Sequence, residues 1–270
     1  MFDFGPCITD PCADDRQPQA PELALAARQR LAAEGFCVLQ AADFAALCDM
    51  PAQACAPALD AWNDLPEDAY LMDGGHYRRR RHASFVQTLN PDAGTPALVQ
   101  APHRPHFQPL TYNALHGGLV RWFEPIGPAL LGAPCWAPML QGLGQMFGAL
   151  RGVDRWFIEA HQFRIDTHEG VGRPTPEGAH RDGVDFVAVV LAQRHAIRGG
   201  ETRVFDIHGP RGVRFTLEQP WSALLMDDTR VVHETTPVLA RDGDAPGWRD
   251  TLVLTWRAGA FMDPPGVSGA

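Results

Sequence analysis

The sequence has 270 residues, 45% of them hydrophobic, which is ample for one packed domain and excludes a chain dominated by disorder. A formal net charge of -9 argues against a general nucleic-acid or anionic-membrane surface, both of which need an electropositive footprint, and favours a small-molecule substrate. All 23 basic residues are Arg. Without Lys there is no Schiff-base chemistry and no P-loop lysine.

Six cysteines, Cys7, Cys12, Cys37, Cys48, Cys55 and Cys135, form no close Cys-x-x-Cys pair, so neither a zinc finger nor a redox pair is expected. A Cys7–Cys12 disulfide is disfavoured. No basic segment leads into an apolar one at the start, and no apolar run reaches transmembrane length, so the expectation is a reduced, cytoplasmic protein with no membrane partner.

Residues 1–20 show no periodicity. From Glu22 to Glu34 the apolar residues fall at helical spacing until Gly35 stops the run; Gly35 to Leu39 then reads as a short strand and Phe44 to Leu59 as a further helix. These first 60 residues are expected to form a helical extension packed on a core spanning roughly 70–260. Between Tyr70 and Phe85 a Gly-Gly turn feeds the basic stretch Tyr77-Arg78-Arg79-Arg80-Arg81-His82-Ala83-Ser84-Phe85. A run of arginines is ordinarily a solvated face. As a strand, however, it places Tyr77, Arg79, Arg81, Ala83 and Phe85 together, and aromatics mixed with Arg suit a carboxylate pocket, which makes Arg79 and Arg81 candidate substrate anchors.

Residues 90–110 are Pro-rich loop. Their histidines, His103 and His106, and nearby His116, lack a companion carboxylate in an extended register and are set aside as ligands. A helical insert is expected over 115–150. From Trp156 the period becomes two: Phe157 to Ile165 alternates, with Gln162 and Arg164 on one face and His161, Phe163 and Ile165 on the other. Phe186 to Leu191 is an unbroken apolar strand, Arg203 to Ile207, Trp221 to Met226 and Val231 to His233 are others, and Gly247 to Arg257 closes the series. Short strands between Gly turns predict a sandwich or jelly roll, mainly β with N-terminal and flanking helices.

Chemistry concentrates in Pro176-Glu177-Gly178-Ala179-His180-Arg181-Asp182-Gly183. In an extended chain His180 and Asp182 point the same way and can hold one ion. His233, 51 residues after Asp182, returns beside them if the strands wind as a double-stranded β-helix. Two imidazoles and one carboxylate form the facial triad suited to Fe(II) with positions left open, whereas a structural zinc site would take a fourth protein ligand. Arg249 and Thr251, same-facing on the following strand, fit the far carboxylate of a chelating 2-oxo acid; the competing reading pairs Arg249 with Asp242, Asp244 or Asp250. A zinc-dependent hydrolase using the same triad and a non-catalytic metal-binding cupin sensor remain alternatives.

With these motifs in place, the chain resembles iron(II)/2-oxoglutarate-dependent dioxygenases, and among them the bacterial free-amino-acid hydroxylases related to isoleucine dioxygenase. The resemblance spans about residues 70–260 and rests on RRRRHASF, YNALHGGLVRWFEP, HQFRI, PTPEGAHRDGVDFV, RGGET, MDDTRVVHETTP and WRDTLVLTW in that order. It implies a jelly-roll, cupin-like core, iron ligands at His180, Asp182 and His233, and a 2-oxoglutarate anchor at Arg249 with Thr251. It also implies hydroxylation of a free L-amino acid or close derivative, or sulfoxidation of a thioether, with 2-oxoglutarate and O2 converted to succinate and CO2. A halogenase would lack the carboxylate that Asp182 supplies. Within that reading Gln162 and Arg164 are candidate substrate or cosubstrate contacts and Phe186 a candidate pocket wall. Oligomeric state is open between monomer and homodimer.

Overall fold

Strand alternation sorts the residues of one large antiparallel sheet onto two faces, one closed by helices and the other enclosing a cavity. The computed structural model describes residues 20–264 except 52, 95, 96, 114 and 242–244. Cys7 and Cys12 lie outside them; the described cysteines, Cys37, Cys48, Cys55 and Cys135, are free and buried.

The chain begins with α1 (Ala20–Glu34), β1 (Phe36–Leu39), α2 (Ala41–Leu47) and a 3-10 helix (Ala56–Trp62), followed by β2 (Arg78–Thr88), β3 (Leu98–Gln100), α3 (Pro128–Leu131) and α4 (Trp136–Arg151). The β-rich remainder comprises β4 (Arg155–Asp166), β5 (Val171–Gly172), β6 (Phe186–His195), β7 (Ile197–Gly199), β8 (Thr202–Asp206), β9 (Gly212–Phe215), β10 (Ala223–Asp227), β11 (Val231–Thr235), β12 (Val238–Ala240) and β13 (Trp248–Arg257). Seven strands form the large sheet in the order β1-β10-β6-β13-β4-β2-β3. Two three-stranded sheets, β11-β8-β9 and β5-β12-β7, complete the jelly roll.

On the helical side, Ala83, Phe85, Trp156, Ile158, Phe186, Ala188, Leu252, Leu254 and Trp256 pack with Leu31 of α1, Phe44 of α2 and Met139, Leu143 and Phe147 of α4. On the other side Val187 and Leu191 of β6 and Leu224 and Met226 of β10 meet Val204 of β8 and Val231 of β11. Among the described residues no helix is long and apolar enough to cross a membrane.

Helix α1 stops where the sequence places the stop: Gly35 adopts φ +80, and a Cβ there would lie 2.9 Å from Val231. Its last turn contains no basic residue. Arg230, from the turn between β10 and β11, supplies the missing charge, donating from Nη1 to the Leu31 carbonyl at 2.8 Å and from Nη2 to that of Ala33 at 3.0 Å.

The helix expected over Phe44 to Leu59 is broken. Helix α2 ends at Leu47, Asp49 takes φ 51, and Pro51 disfavours a helical residue before it. The insert expected to be helical over 115–150 contains helix only in α3 and α4; residues 115–127, with Gly117-Gly118 and Pro125, run as irregular chain.

Phe186, the expected pocket wall, is a core residue instead. It is 1% exposed, stacks on Phe147 with ring centroids 4.4 Å apart and meets Trp156 edge-on at 6.0 Å. Replacing it by Ala is expected to cost about 3–5 kcal/mol of stability, measured by urea denaturation. A variant of unchanged stability but altered substrate KM would place Phe186 back in the pocket.

Candidate metal centre and the cavity around it

Two backbone hydrogen bonds draw the site together. The His180 N–H donates to the His233 carbonyl at 3.0 Å, the His233 N–H donates back at 2.9 Å, and the rings lie 4.7 Å apart. His180 Nδ1 donates to the Gly178 carbonyl at 2.9 Å, which leaves the Nε2 lone pair for a ligand. That Nε2 is 3.8 Å from Asp182 Oδ1, and His233 Nε2 is 3.8 Å from Asp182 Oδ2. The three ligating atoms fall within 4.8 Å of one another.

The electrostatics fit a cation. Asp182 Oδ2 is buried without a donor, a costly state for a carboxylate oxygen unless a positive charge faces it. Burial, with His180 beside it, pushes the His233 pKa down to about 3, so this imidazole is neutral as a ligand must be. For His180 burial acts in the same direction, but Asp182 and Glu177 outweigh it and raise the pKa: the surrounding carboxylates attract positive charge.

Asp182 is held by a turn that wraps the buried carboxylate of Asp228. Asp228 accepts N–H groups from Asp182 at 3.0 Å, Gly183 at 2.8 Å and Val184 at 3.1 Å. Burial first, and then the Asp182 charge, push the Asp228 pKa up to about 7 despite those three donors. Gly183 is required here: its φ is +81, and the Tyr112 ring stands 2.4 Å from where a Cβ would be. From the loop after β3, Gln108 Nε2 donates to the Asp182 carbonyl at 3.2 Å, and Asn113 in turn donates to Gln108 at 3.2 Å.

The cluster opens into a cavity of about 1000 Å³, part of it open to solvent. Arg249 and Thr251 of β13 line it. Arg249 is 3% exposed, and its Nε and Nη2 have no acceptor. Burial, with Arg194 nearby, lowers its pKa to about 10, so it stays cationic at neutral pH. Of the carboxylates in the competing reading, Asp250 instead takes Arg164 at 2.8 and 2.7 Å, and Asp242 and Asp244 lie outside the described residues.

The remaining expected pocket residues face the wrong way. On β2 the cavity takes Arg78 and Arg80, so Arg79 and Arg81 turn outward, to Glu67 and Asp166 at 3.2 and 3.5 Å and to Glu124 at 2.9 Å. The mixed aromatic and arginine face that suggested a pocket is the helical side, where Ala83 and Phe85 belong to the main core. Gln162 donates to the Ala61 carbonyl at 2.9 Å, and Arg164 spends its fork on Asp250 beneath Trp248. For Phe186, counting alternate residues from Asp182 fails because the turn at Gly183 resets the alternation.

The loop histidine set aside for want of a carboxylate has one. His106 Nδ1 is 3.2 Å from Glu159, and His82, His106, Glu159 and His161 bring ligating atoms within 4.8 Å of one another. The only sequence signal for this group was the far face of the two strands: His82 and Arg80 on β2, His161 and Glu159 on β4.

A jelly roll that assembles His, Asp and His beside an unpaired buried arginine belongs to the class of metal-dependent oxygenase folds. The chain is a member of the 2OG-Fe dioxygenase family, whose family model matches residues 59–255. The family uses Fe(II), 2-oxoglutarate and O2, and the His180, Asp182, His233 cluster has the composition of its iron-binding site. The crystal structure of a bsmA homologue from Methylobium petroleophilum is similar at TM-score 0.83 and 57% identity, over 89% of this chain and 95% of that one. IDO from Bacillus thuringiensis, at TM-score 0.66 and 19% identity over 89% and 96% of the two chains, shares the fold. So does the Fe(II)/α-ketoglutarate-dependent dioxygenase TqaL, at 0.67 and 18% over 88% and 87%. Among curated protein sequences none matches the chain.

Asp228→Ala is expected to strand three backbone donors, lowering stability by about 2–3 kcal/mol and loosening Asp182. Fe(II) affinity should fall about 10–100-fold, the range for groups that orient metal ligands, as measured by anaerobic Fe(II) titration.

Proposed function

We propose that this chain hydroxylates a free L-amino acid or close derivative, or sulfoxidises one bearing a thioether, while 2-oxoglutarate and O2 become succinate and CO2. The observation that carries the reading is Arg249: a buried, unpaired guanidinium in the cavity that contains a three-donor metal cluster. In it His180, Asp182 and His233 bind Fe(II), and Arg249 with the Thr251 hydroxyl receives the far carboxylate of 2-oxoglutarate.

Iron bound with 2-oxoglutarate and O2 supplies the oxidising power for an unactivated C–H bond or a sulfide. The chain supplies position and shelter. The Gly178 carbonyl keeps His180 in one tautomer. Gln108, donating toward Asp182 Oδ1 at 3.4 Å as well as to its carbonyl, fixes the carboxylate's orientation. Val184, Val189, Val253 and Phe163 give the cavity an apolar wall that excludes water and suits an aliphatic side chain. A concave site with an apolar wall and a few convergent polar groups suits a small substrate.

The test is succinate formation over a panel of the free L-amino acids with Fe(II), 2-oxoglutarate and O2. Stimulation by a subset is expected, and stimulation by peptides alone would refute the amino-acid reading. Anaerobic Fe(II) with 2-oxoglutarate should give a weak visible charge-transfer band. Asp182→Ala should abolish turnover. Arg249→Ala should raise the KM for 2-oxoglutarate about 100-fold, the scale for losing one partner of a buried charge pair; unchanged cosubstrate affinity would remove Arg249 from this role.

A further inference from the structure

Beyond the metal cluster and Arg249, the cavity is lined by two opposite charges, Arg121 and Glu159, whose buried polar atoms are not all satisfied by hydrogen bonds. Arg121 is 2% exposed and lines the cavity. Its backbone is fastened to His106 by two hydrogen bonds, of 3.0 and 2.9 Å. Its Nε and Nη2 are buried without an acceptor; among the described residues no carboxylate makes a contact ion pair with it, and Asp68, Glu177 and Glu159 act on it only at longer range. Such a group is costly unless something anionic meets it.

Glu159, 7% exposed, faces the same cavity from β4. Its Oε2 lies 3.2 Å from His106 Nδ1, and its Oε1, 3.2 Å from His82 Nε2, receives no directed hydrogen bond. Burial works to raise its pKa, but His106 and His82 outweigh this and hold the carboxyl well below the usual range, so it is anionic. Burial in turn pushes the His106 pKa down to about 4, so that imidazole does not cancel the charge at neutral pH.

Four ligating atoms in this corner have the spacing of a second metal site, yet the surroundings oppose one. Arg80 Nη2 is 2.7 Å from His161 Nδ1, so that nitrogen accepts the guanidinium proton and the other carries hydrogen in place of a lone pair. The His82 and His161 rings stack at 4.8 Å, and two guanidiniums, Arg80 and Arg121, already bring positive charge. A dipolar ligand meets the unsatisfied atoms of Arg121 and Glu159 with no net charge added; a dication does not.

We infer that Arg121 and Glu159 form the subsite for the substrate's polar head, Arg121 taking its carboxylate and Glu159 its ammonium group. The inference rests on the free-amino-acid reading. It places the ammonium end away from the cosubstrate anchor. Arg249 is in register with Ile165 and Arg78, whereas Glu159 is in register with Thr255 and Ser84. Six residues of β13 separate the two levels, roughly 20 Å along the strand.

The test uses the Fe(II) and 2-oxoglutarate holoenzyme and a panel of free L-amino acids, their carboxamides and their N-acetyl derivatives, with succinate as readout. For the best amino acid, Arg121→Met should raise KM about 100-fold while leaving the KM for 2-oxoglutarate unchanged. The corresponding carboxamide should be handled alike by wild type and Arg121→Met, since either change alone already removes the contact. Glu159→Gln should show the same pattern with the N-acetyl compound. Arg121→Lys, which keeps the charge without the fork, should recover part of the loss, and thermal denaturation checks that each variant folds. A free amino acid turned over with the same KM by wild type and Arg121→Met overturns the inference and leaves the amino-acid reading standing. Succinate from N-acetyl acids alone overturns that reading and the Glu159 assignment with it. A panel on which no acid gives succinate overturns both, whereas a second metal ion per chain that Glu159→Gln abolishes overturns the inference alone.

Discussion

The pair of backbone hydrogen bonds between His180 and His233 is the constraint on which the centre depends. Residues 51 apart from Asp182 to His233, with five strands between them, become immediate neighbours only because β6 and β10 lie in the large sheet while β8 and β11 lie in a facing one. Once the bridge closes, the imidazoles must project on the same side, and the turn around Asp228 has only to deliver one carboxylate. Three donors from two segments thus need few specific contacts. The cost is concentrated in a buried acid whose own ionisation the site resists.

The same sheet explains why a single cavity serves so many charged groups. Along β2, β4 and β13 the inward positions read Arg78, Ile165 and Arg249, then Arg80, Phe163 and Thr251, then His82, His161 and Val253, then Ser84, Glu159 and Thr255. Each level is a cross-strand triplet, so polarity changes along the strand in steps. Arginines gather at one end, with Asp68 compensating Arg78 at 2.7 Å and Arg80 at 3.6 Å, and aromatic faces of Phe123 and Phe163 cover Arg80 at 3.8 and 4.4 Å. The outward positions carry the apolar residues that bind the helices.

Much of this was legible in the sequence. The strands over 157–165 and 247–257 announced themselves by period, that over 186–191 by unbroken apolarity, α1 by spacing and its Gly stop, and the metal cluster by His-x-Asp with a later His. Asp185, next to Phe186 in the chain, pairs with Arg151 at 3.1 Å as a structural group. What failed was the choice of face. Alternation tells which residues share a side but not which side is enclosed: Arg79 and Arg81 were put with the cavity because their face mixed aromatic and polar character, and Gln162 and Arg164 because they share a face of the strand before the metal-binding segment. That face is half core and half rim, where long side chains reach acids at the sheet's edge. Asp228 gave no signal, since a carboxylate that accepts three backbone donors has no local signature, and His106 read as loop because its partner is 53 residues away. The short strands β5, β7 and β12, two or three residues each, are too brief to carry a period.

Arg230 ties the centre to a part of the chain that lies apart from it in sequence. Its guanidinium holds the last carbonyls of α1, and its own position sits between Asp228, which shapes the Asp182 turn, and His233. Helix and metal therefore share one element, and free energy can pass between them: whatever steadies that turn steadies the end of the helix, and fraying of the helix is felt where iron binds. The N-terminal segment is, in this sense, a thermodynamic partner of the metal, and a chain trimmed after residue 35 would lose more than a packing layer.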